Sequence, residues 1–140
     1  MKQTIERITI NGRIYVAEDS LLKTENTMPD PTNGLYAIVR ADRAGVFAGY
    51  LANSDGAPIT TMKNHTLSEN ASVYLRNARW IWHWEGAASL SQLSIDGTSQ
   101  PDTCKFPDPV DFMQLFGVIQ IIPGTEKARK SIEGVKPWKM

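Results

Sequence analysis

The chain has 140 residues, and its 15 lysine and arginine side chains balance 15 aspartate and glutamate side chains, so the formal net charge is zero. This length predicts a single domain, 1–140, with a hydrophobic core of its own. A zero net charge argues against a protein that binds long nucleic acid through bulk charge. The single cysteine, Cys104, excludes an internal disulfide framework and a multi-cysteine zinc site. With no recognisable signal peptide or membrane-spanning run, we expect a cytoplasmic protein with no membrane partner.

The amino-terminal part of the chain predicts a β-hairpin followed by a linker. Two strand-like runs flank Asn11-Gly12, whose residues accept the positive φ angles of a tight turn, so residues 1–19 are expected to hold a hairpin. Turn-forming residues then dominate, and residues 20–35 are expected to form a linker loop. Residues 36–140 are expected to form the core of the domain.

The first half of this core predicts strands. Tyr36–Ala41 and Val46–Ala52 are expected to pair as a second hairpin around an intervening turn. Ala71–Trp84 is predicted to form one long strand. Small residues ahead of Leu90 and Leu93 favour a short helix that begins near Gly86.

The second half predicts one more strand and one more helix. Val110–Ile122 is rich in β-branched residues and is expected to be a single strand. A helix is expected from Glu126 to about Glu133, with Thr125 as its N-cap and Gly134 at its end. Together these elements predict an α+β fold, a small antiparallel β-sheet or partial barrel of roughly five to seven strands with two short helices.

Residues suited to catalysis are scarce in this sequence. There is no P-loop, dinucleotide-binding fingerprint or nucleophile elbow. His83 and Cys104 would form a thiolate pair only if the fold brought them together. The competing interpretation is a half-buried histidine and a packed free cysteine. We therefore predict no catalytic residue, no cofactor and no metal site.

The segment from Tyr74 to Trp84 holds three of the four tryptophans. In a regular strand, alternation would place Tyr74, Arg76, Ala78, Trp80, Trp82 and Trp84 on one face, and Leu75, Asn77, Arg79, Ile81 and His83 on the other. An aromatic face that carries a guanidinium is suited to stacking on planar ligands such as nucleobases. Tryptophans on one strand face also fit a core or a subunit interface, and both alternatives stay open.

The segment that follows adds polar groups. A helix starting after Gly86-Ala87-Ala88-Ser89 offers free backbone N–H groups and a hydroxyl to a phosphate, although small residues also suit tight packing. Lys105 would neutralise a phosphate or simply keep its loop soluble. The candidate ligand-binding residues are Arg76, Asn77, Arg79, Trp82, Trp84, Ser89, Ser91, Gln92 and Lys105.

Two blocks of this sequence, Asn77–Leu93 and Pro101–Pro107, resemble the core of a widespread family of small phage and prophage proteins. The resemblance extends over Tyr36–Trp138. It departs at Trp80, where the family usually has a second arginine, and at His83, where it has tyrosine, and these changes would alter ligand specificity. The family is similar to the phage anti-CBASS sponges. This similarity implies immune evasion in the cytoplasm of an infected bacterial cell, by a homo-oligomer (dimer or tetramer) that binds a cyclic di- or oligonucleotide without cleaving it.

The leading expectation is therefore a non-enzymatic accessory protein that sequesters a nucleotide signal. Trp82 or Trp84 would stack on a base, Arg76 and Arg79 would meet phosphates, and Ser89, Ser91 and Gln92 would supply polar contacts. The main alternative is an inhibitor or minor structural protein that docks on a host or virion protein through its tryptophans. Single-stranded nucleic-acid binding is weakened by the zero net charge, and an enzyme ranks last.

Overall fold

The structure is a computed structural model, and it describes residues 33–62 and 72–139. The predicted amino-terminal hairpin and most of the predicted linker lie outside these ranges. The described ranges confirm the α+β class, with one antiparallel sheet and two helices. The strands are β1 (Tyr36–Ala41), β2 (Gly45–Ala52), β3 (Val73–Trp80), β4 (Val110–Leu115) and β5 (Val118–Pro123), and the helices are α1 (Leu90–Asp96) and α2 (Glu126–Gly134). A short 3₁₀ turn covers Pro101–Thr103.

The sheet has the strand order β4-β3-β2-β1-β5 and is strongly curled. β4 and β5 lie at opposite edges, yet only Phe116 and Gly117 separate them in the chain. Three peptide steps reach at most about 11 Å, whereas the edges of a flat five-stranded sheet are about 19 Å apart. The sheet must therefore curl until its two edges approach at this corner, as in a partial barrel.

The expected single strand over Val110–Ile122 is wrong, because the chain turns in the middle of it. Gly117 has a φ of 66°, which lies in the left-handed region that favours glycine. The carbonyl oxygen of Gly117 accepts a hydrogen bond from the Asp42 N–H at 2.8 Å, which fixes the corner to the turn after β1. Apolar residues lie on both sides of Gly117, so the sequence pattern resembles one continuous strand.

The expected long strand over Ala71–Trp84 is also wrong, because β3 is bulged and ends at Trp80. The pairing of β2 with β3 shifts by one residue, so Asn77 and Ala78 together lie opposite Gly49. Asn77 takes a φ of 53° at this bulge. Since a shift of one residue moves later side chains to the opposite face, Arg76 and Trp80 do not share a face as predicted.

Each face of the sheet packs against a different hydrophobic core. The inner core is formed by the curled sheet itself: all five strands contribute to it and the helices do not, with Val39, Phe47, Leu75, Leu115 and Val118 among its members. The outer core joins the other face to both helices and to the loop before β4, with Ile38, Ala48, Leu93, Phe106 and Ile132 among its members. Burial on both faces explains why the sequences of β1 and β2 are nearly continuous apolar runs.

Both helices begin at capping residues. The Thr125 hydroxyl accepts a hydrogen bond from the Ala128 N–H at 3.1 Å, which confirms the predicted start of α2. The Ser89 hydroxyl accepts one from the Gln92 N–H, also at 3.1 Å, so α1 begins at Leu90, later than expected. In the described ranges, no helix is both long and apolar enough to cross a membrane.

Candidate functional site

Three exposed or half-buried tryptophans lie together on the surface, and one lysine lies beside two of them. The Trp82 and Trp138 rings stack with their centroids 4.8 Å apart and their planes 13° from parallel. Trp80 also contacts Trp82, at a centroid distance of 6.1 Å and a tilt of 58°. Trp80 is 38% exposed and Trp82 is 47% exposed, unusually high values for such large apolar side chains. We call the group Trp80, Trp82, Lys105 and Trp138 the tryptophan–lysine surface.

Short backbone pairings carry these side chains to the same place. Beyond β3, the Ile81 N–H donates to the Val46 carbonyl at 2.8 Å, and the Lys105 N–H donates to the His83 carbonyl at 2.8 Å. Ile81 and Phe106 point into the outer core, so alternation along an extended chain turns their neighbours Trp80, Trp82 and Lys105 outward. The carboxy-terminal segment joins them through a Trp138 N–H bond to the Phe106 carbonyl at 2.9 Å.

Lys105 supplies the positive charge of this surface. Its Nζ atom lies 5.3 Å from the Trp82 ring centroid and 5.6 Å from the Trp138 ring centroid, within cation–π range of both. Lys105 makes no ion pair within the described part of the chain, so its charge remains available to an anion. Flat apolar rings beside an available ammonium group are suited to a planar ligand that carries an anionic group.

Arg79, which we expected to meet a phosphate, is instead a buried structural residue. It is 3% exposed, and its guanidinium donates to the carbonyls of Pro107 at 2.9 Å, Ile132 at 2.7 Å and Phe106 at 3.1 Å. Burial lowers the pKa of Arg79 from its usual value. The three carbonyls tie β3 to the loop before β4 and to the last turn of α2, so this side chain is not open to a ligand.

Arg76 and Asn77 line a separate polar cleft of about 490 Å³ between β3 and α2. The Asn77 Nδ2 group and the Tyr50 hydroxyl donate to the same oxygen of Glu133, at 3.2 and 3.1 Å. Burial, and then the Glu133 charge, raise the pKa of Tyr50. Arg76 is exposed and makes no hydrogen bond or ion pair within the described ranges. Among the described residues, the cleft therefore holds the Arg76 guanidinium and the Asp111 carboxylate beside the hydrogen-bonded group of Tyr50, Asn77 and Glu133.

The remaining candidates lie around α1 or in the outer core. The Ser89 hydroxyl is used as the helix cap, and the Gln92 side chain donates to the carboxylate of Asp96. Ser91 is exposed on the first turn of α1, and its carbonyl accepts a bond from the Ser94 hydroxyl at 2.6 Å. Trp84 is half-buried and packs against the outer core. No hydrogen bond, ion pair or ring contact between described residues joins these side chains to Trp82 or Lys105, so the predicted single pocket is divided among several places.

His83 and Cys104 do not form a pair. The His83 Nε2 atom lies 2.9 Å from the Glu85 carboxylate. The Cys104 thiol is 6% exposed and is directed at the carbonyls of Gln100 at 3.5 Å and Glu85 at 3.6 Å. The described ranges hold no group of three or more metal-ligating side chains placed to bind a metal ion.

Sequence reasoning missed Trp138 as part of the site. It lies 56 positions beyond Trp82 in the chain, and only the pairing of Pro137 with Phe106 brings the two rings together. The available signal was compositional: Trp138 lies between Lys136 and Lys139, a combination typical of an aromatic and cationic contact surface.

The fold and the site together define a small α+β domain in which a curled antiparallel sheet carries two helices on one face and an aromatic, cationic surface beyond β3. Residues 34–132 match the family described as a domain of unknown function, DUF6948, and the chain belongs to that family. The match covers Trp82 and Lys105 and ends before Trp138. No curated protein and no solved structure matches the chain significantly.

Proposed function

We propose that this protein is a non-enzymatic binder of a nucleotide signal, and that the tryptophan–lysine surface is where the nucleotide binds. One observation carries the proposal: exposed tryptophan rings are grouped around a lysine that has no carboxylate partner in the described ranges. A base stacked on such a ring contributes about 1–3 kcal/mol. The ammonium group beside the rings then meets the phosphate of the same ligand.

The charge balance supports a compact ligand. Zero net charge provides no broad positive field to hold a long polyanion, whereas Lys105 provides one local cation beside the rings. Lys139 lies on the same terminal segment but is engaged by Asp108 at 3.4 Å. A cyclic di- or oligonucleotide, with stacked bases and few phosphates, suits this surface better than a long strand does.

The resemblance to phage anti-CBASS sponges is the basis for the biological role in this proposal. In this proposal the protein acts in the cytoplasm of an infected bacterial cell, as a homo-oligomer that sequesters the immune signal and releases it unaltered. Arg79 has no ligand contact in this revised site because its donors hold backbone carbonyls. Arg76 lies in the separate cleft between β3 and α2, so the revised site gives it no ligand contact either.

Isothermal titration with cyclic di-AMP, cyclic di-GMP and cyclic GMP–AMP, followed by chromatography of the nucleotide, tests the proposal. We expect one of these probes to bind and to be recovered intact. Lys105→Gln should weaken binding about tenfold by removing a charge-assisted contact. Lys130→Gln is the matched control, because Lys130 is an exposed lysine on α2, and it should leave binding unchanged. Failure of all three probes to bind, or recovery of a cleaved product, would contradict the proposal.

A second candidate function is docking on a host or virion protein. It is favoured by the exposed apolar side chains at the two edges of the sheet, namely Val110, Phe112, Phe116 and Ile119, which add to the exposed tryptophans. On this alternative the tryptophans anchor a protein interface. A purified partner that binds wild-type protein but not Trp82→Ala, together with no nucleotide binding, would favour it.

A further inference from the structure

The stacked pair Trp82 and Trp138 is built from one firmly held ring and one lightly held ring. Trp82 lies between two backbone attachments, the Ile81 bond to Val46 and the two bonds that join His83 with Lys105. Ile81 itself is 3% exposed and anchored in the outer core. This side of the pair is therefore fixed to the body of the domain.

Trp138 has much weaker attachments. Among the described residues, its backbone makes one hydrogen bond, from its N–H to the Phe106 carbonyl, as part of the isolated bridge between Pro137 and Phe106. Its neighbour Lys139 makes an exposed ion pair with Asp108. Val135 is the last buried residue before it, so exposed Lys136 and Pro137 separate Trp138 from the core. Segments with few buried contacts and one backbone bond open locally at low cost. The terminal segment can move Trp138 without disturbing the sheet.

We infer that Trp82 and Trp138 are the two walls of a clamp that is closed on itself in the free protein and opens to hold one planar ring between them. This inference rests on the proposed function and specifies how Trp82 and Trp138 hold the base. Opening gives up one ring–ring contact, whereas closing on a base forms two. The Trp80 ring also contacts Trp82 and helps to hold this fixed ring in place.

Lys105 sets the chemical class of the ligand in this clamp. Its ammonium group is nearly equidistant from the two ring centroids, at 5.3 and 5.6 Å, so it lies at the mouth of the gap that opens between them. A base held between the rings would place its own phosphate or a neighbouring phosphate within reach of this charge. The clamp therefore fits a nucleobase linked to phosphate, and it does not fit a phosphorylated sugar without a base.

Titration of Trp138 variants with cyclic di-AMP, cyclic di-GMP, cyclic GMP–AMP and ribose 5-phosphate tests the clamp. For the nucleotide that binds, Trp138→Ala should lower the affinity by at least about tenfold, and Trp138→Phe should restore most of it because a phenyl ring also stacks. Phe112→Ala, an exposed aromatic on β4, is the matched control and should have no effect. Ribose 5-phosphate should bind all variants equally weakly.

The contradicting results separate failure of the clamp from failure of the proposed function. Unchanged or increased affinity of Trp138→Ala would overturn the clamp and leave the proposed function standing. Absence of nucleotide binding to wild-type protein would overturn the proposed function and the clamp with it. If the alanine variant does not fold, Trp138→Leu decides in its place. Leucine keeps an apolar side chain but cannot stack, so this variant should bind the nucleotide at least about tenfold more weakly, and unchanged binding would overturn the clamp.

Discussion

At the residue scale, two arginines on the same strand have opposite roles. Arg79 is buried and donates to three backbone carbonyls, whereas Arg76 is exposed and has no partner within the described ranges. Nothing in the residue type or its neighbours separates the two. The bulge at Asn77 places both on the outer-core face, opposite Tyr50 and Ala48, and only Arg79 lies under the carbonyls of the loop before β4 and of α2. The sequence therefore identified both as ligand candidates, and the fold leaves only Arg76 open to solvent.

We predict that Arg79→Ala destabilises the domain strongly and that Arg76→Ala does not. Removing the buried guanidinium leaves three carbonyls without their donor, which should lower the free energy of unfolding by about 3 kcal/mol or more. Arg76→Ala, the matched control on the same strand, should change it by no more than about 0.5 kcal/mol. Urea unfolding followed by fluorescence measures both. Equal losses would contradict the structural role given to Arg79.

Buried Tyr36 and half-buried Tyr50 predict a loss of stability in alkaline solution. Burial raises the pKa of Tyr36 and of Tyr50 above the value of about 10 that tyrosine has in an unfolded chain. The unfolded state therefore releases these protons first as the pH rises, and the stability that is complete below pH 10 declines above it. Urea unfolding between about pH 8.5 and 11 should show this decline. The decline should be smaller in the Tyr36→Phe, Tyr50→Phe double variant, and an identical pH profile would contradict the assignment.

Two of the four residues of the tryptophan–lysine surface were predicted as ligand-binding residues from the sequence. Trp82 and Lys105 were recognisable from the sequence because clustered tryptophans and a loop lysine are uncommon local features. Trp138 was not, because its contact with Trp82 depends on a pairing between distant segments, Pro137 and Phe106. Ser89 and Gln92 were misjudged for a different reason: their hydrogen-bonding groups satisfy α1 itself.

At the scale of the secondary-structure elements, the sequence correctly predicts turns and helix ends that depend on only a few neighbouring residues. The turn between β1 and β2, the N-cap Thr125 and the helix after it all follow from the capping and turn preferences of a few neighbouring residues. The bulge in β3 could not be predicted in this way. It requires Gly49 on the neighbouring strand, where an added Cβ would lie 3.0 Å from the Arg76 carbonyl oxygen and 3.1 Å from the Ala78 Cα atom.

The bulge can be tested through the backbone angle of Asn77. Asparagine and glycine tolerate a φ of 53°, whereas a β-branched side chain does not. We expect Asn77→Ile to lower the free energy of unfolding by about 2 kcal/mol. Asn77→Gly should cost less, about 1 kcal/mol, because it loses only the side-chain bond to Glu133. Thermal unfolding of the two variants compares them, and a more stable Asn77→Ile would contradict the bulged register.

At the scale of the whole molecule, curling of the sheet exposes apolar side chains where β4 and β5 meet. Phe116 is 68% exposed and Ile119 is 50% exposed, and both lie at or beside the corner that joins the two edge strands. Exposed apolar groups on edge strands favour association with another chain. Within the proposed homo-oligomer, we place the subunit contact at this corner.

Sedimentation analysis tests that placement. Wild-type protein should sediment as a dimer or a larger species, and the Phe116→Asp, Ile119→Asp double variant should shift it toward the monomer by burying charge in the contact. Ile95→Asp is the matched control, since Ile95 is 45% exposed on α1, away from the corner. A monomeric wild-type protein, or a double variant that sediments unchanged, would contradict this account of the assembly.

The central claim is that the tryptophan–lysine surface binds a nucleotide, and Trp82 tests it most directly because its ring contacts Trp80, Trp138 and Lys105. The measurement is isothermal titration of cyclic di-AMP, cyclic di-GMP and cyclic GMP–AMP into wild-type, Trp82→Ala and Phe112→Ala proteins. We predict that one nucleotide binds wild-type and Phe112→Ala equally well and Trp82→Ala at least about tenfold more weakly. Absence of binding to the wild-type protein, or equal binding to Trp82→Ala, would contradict the claim.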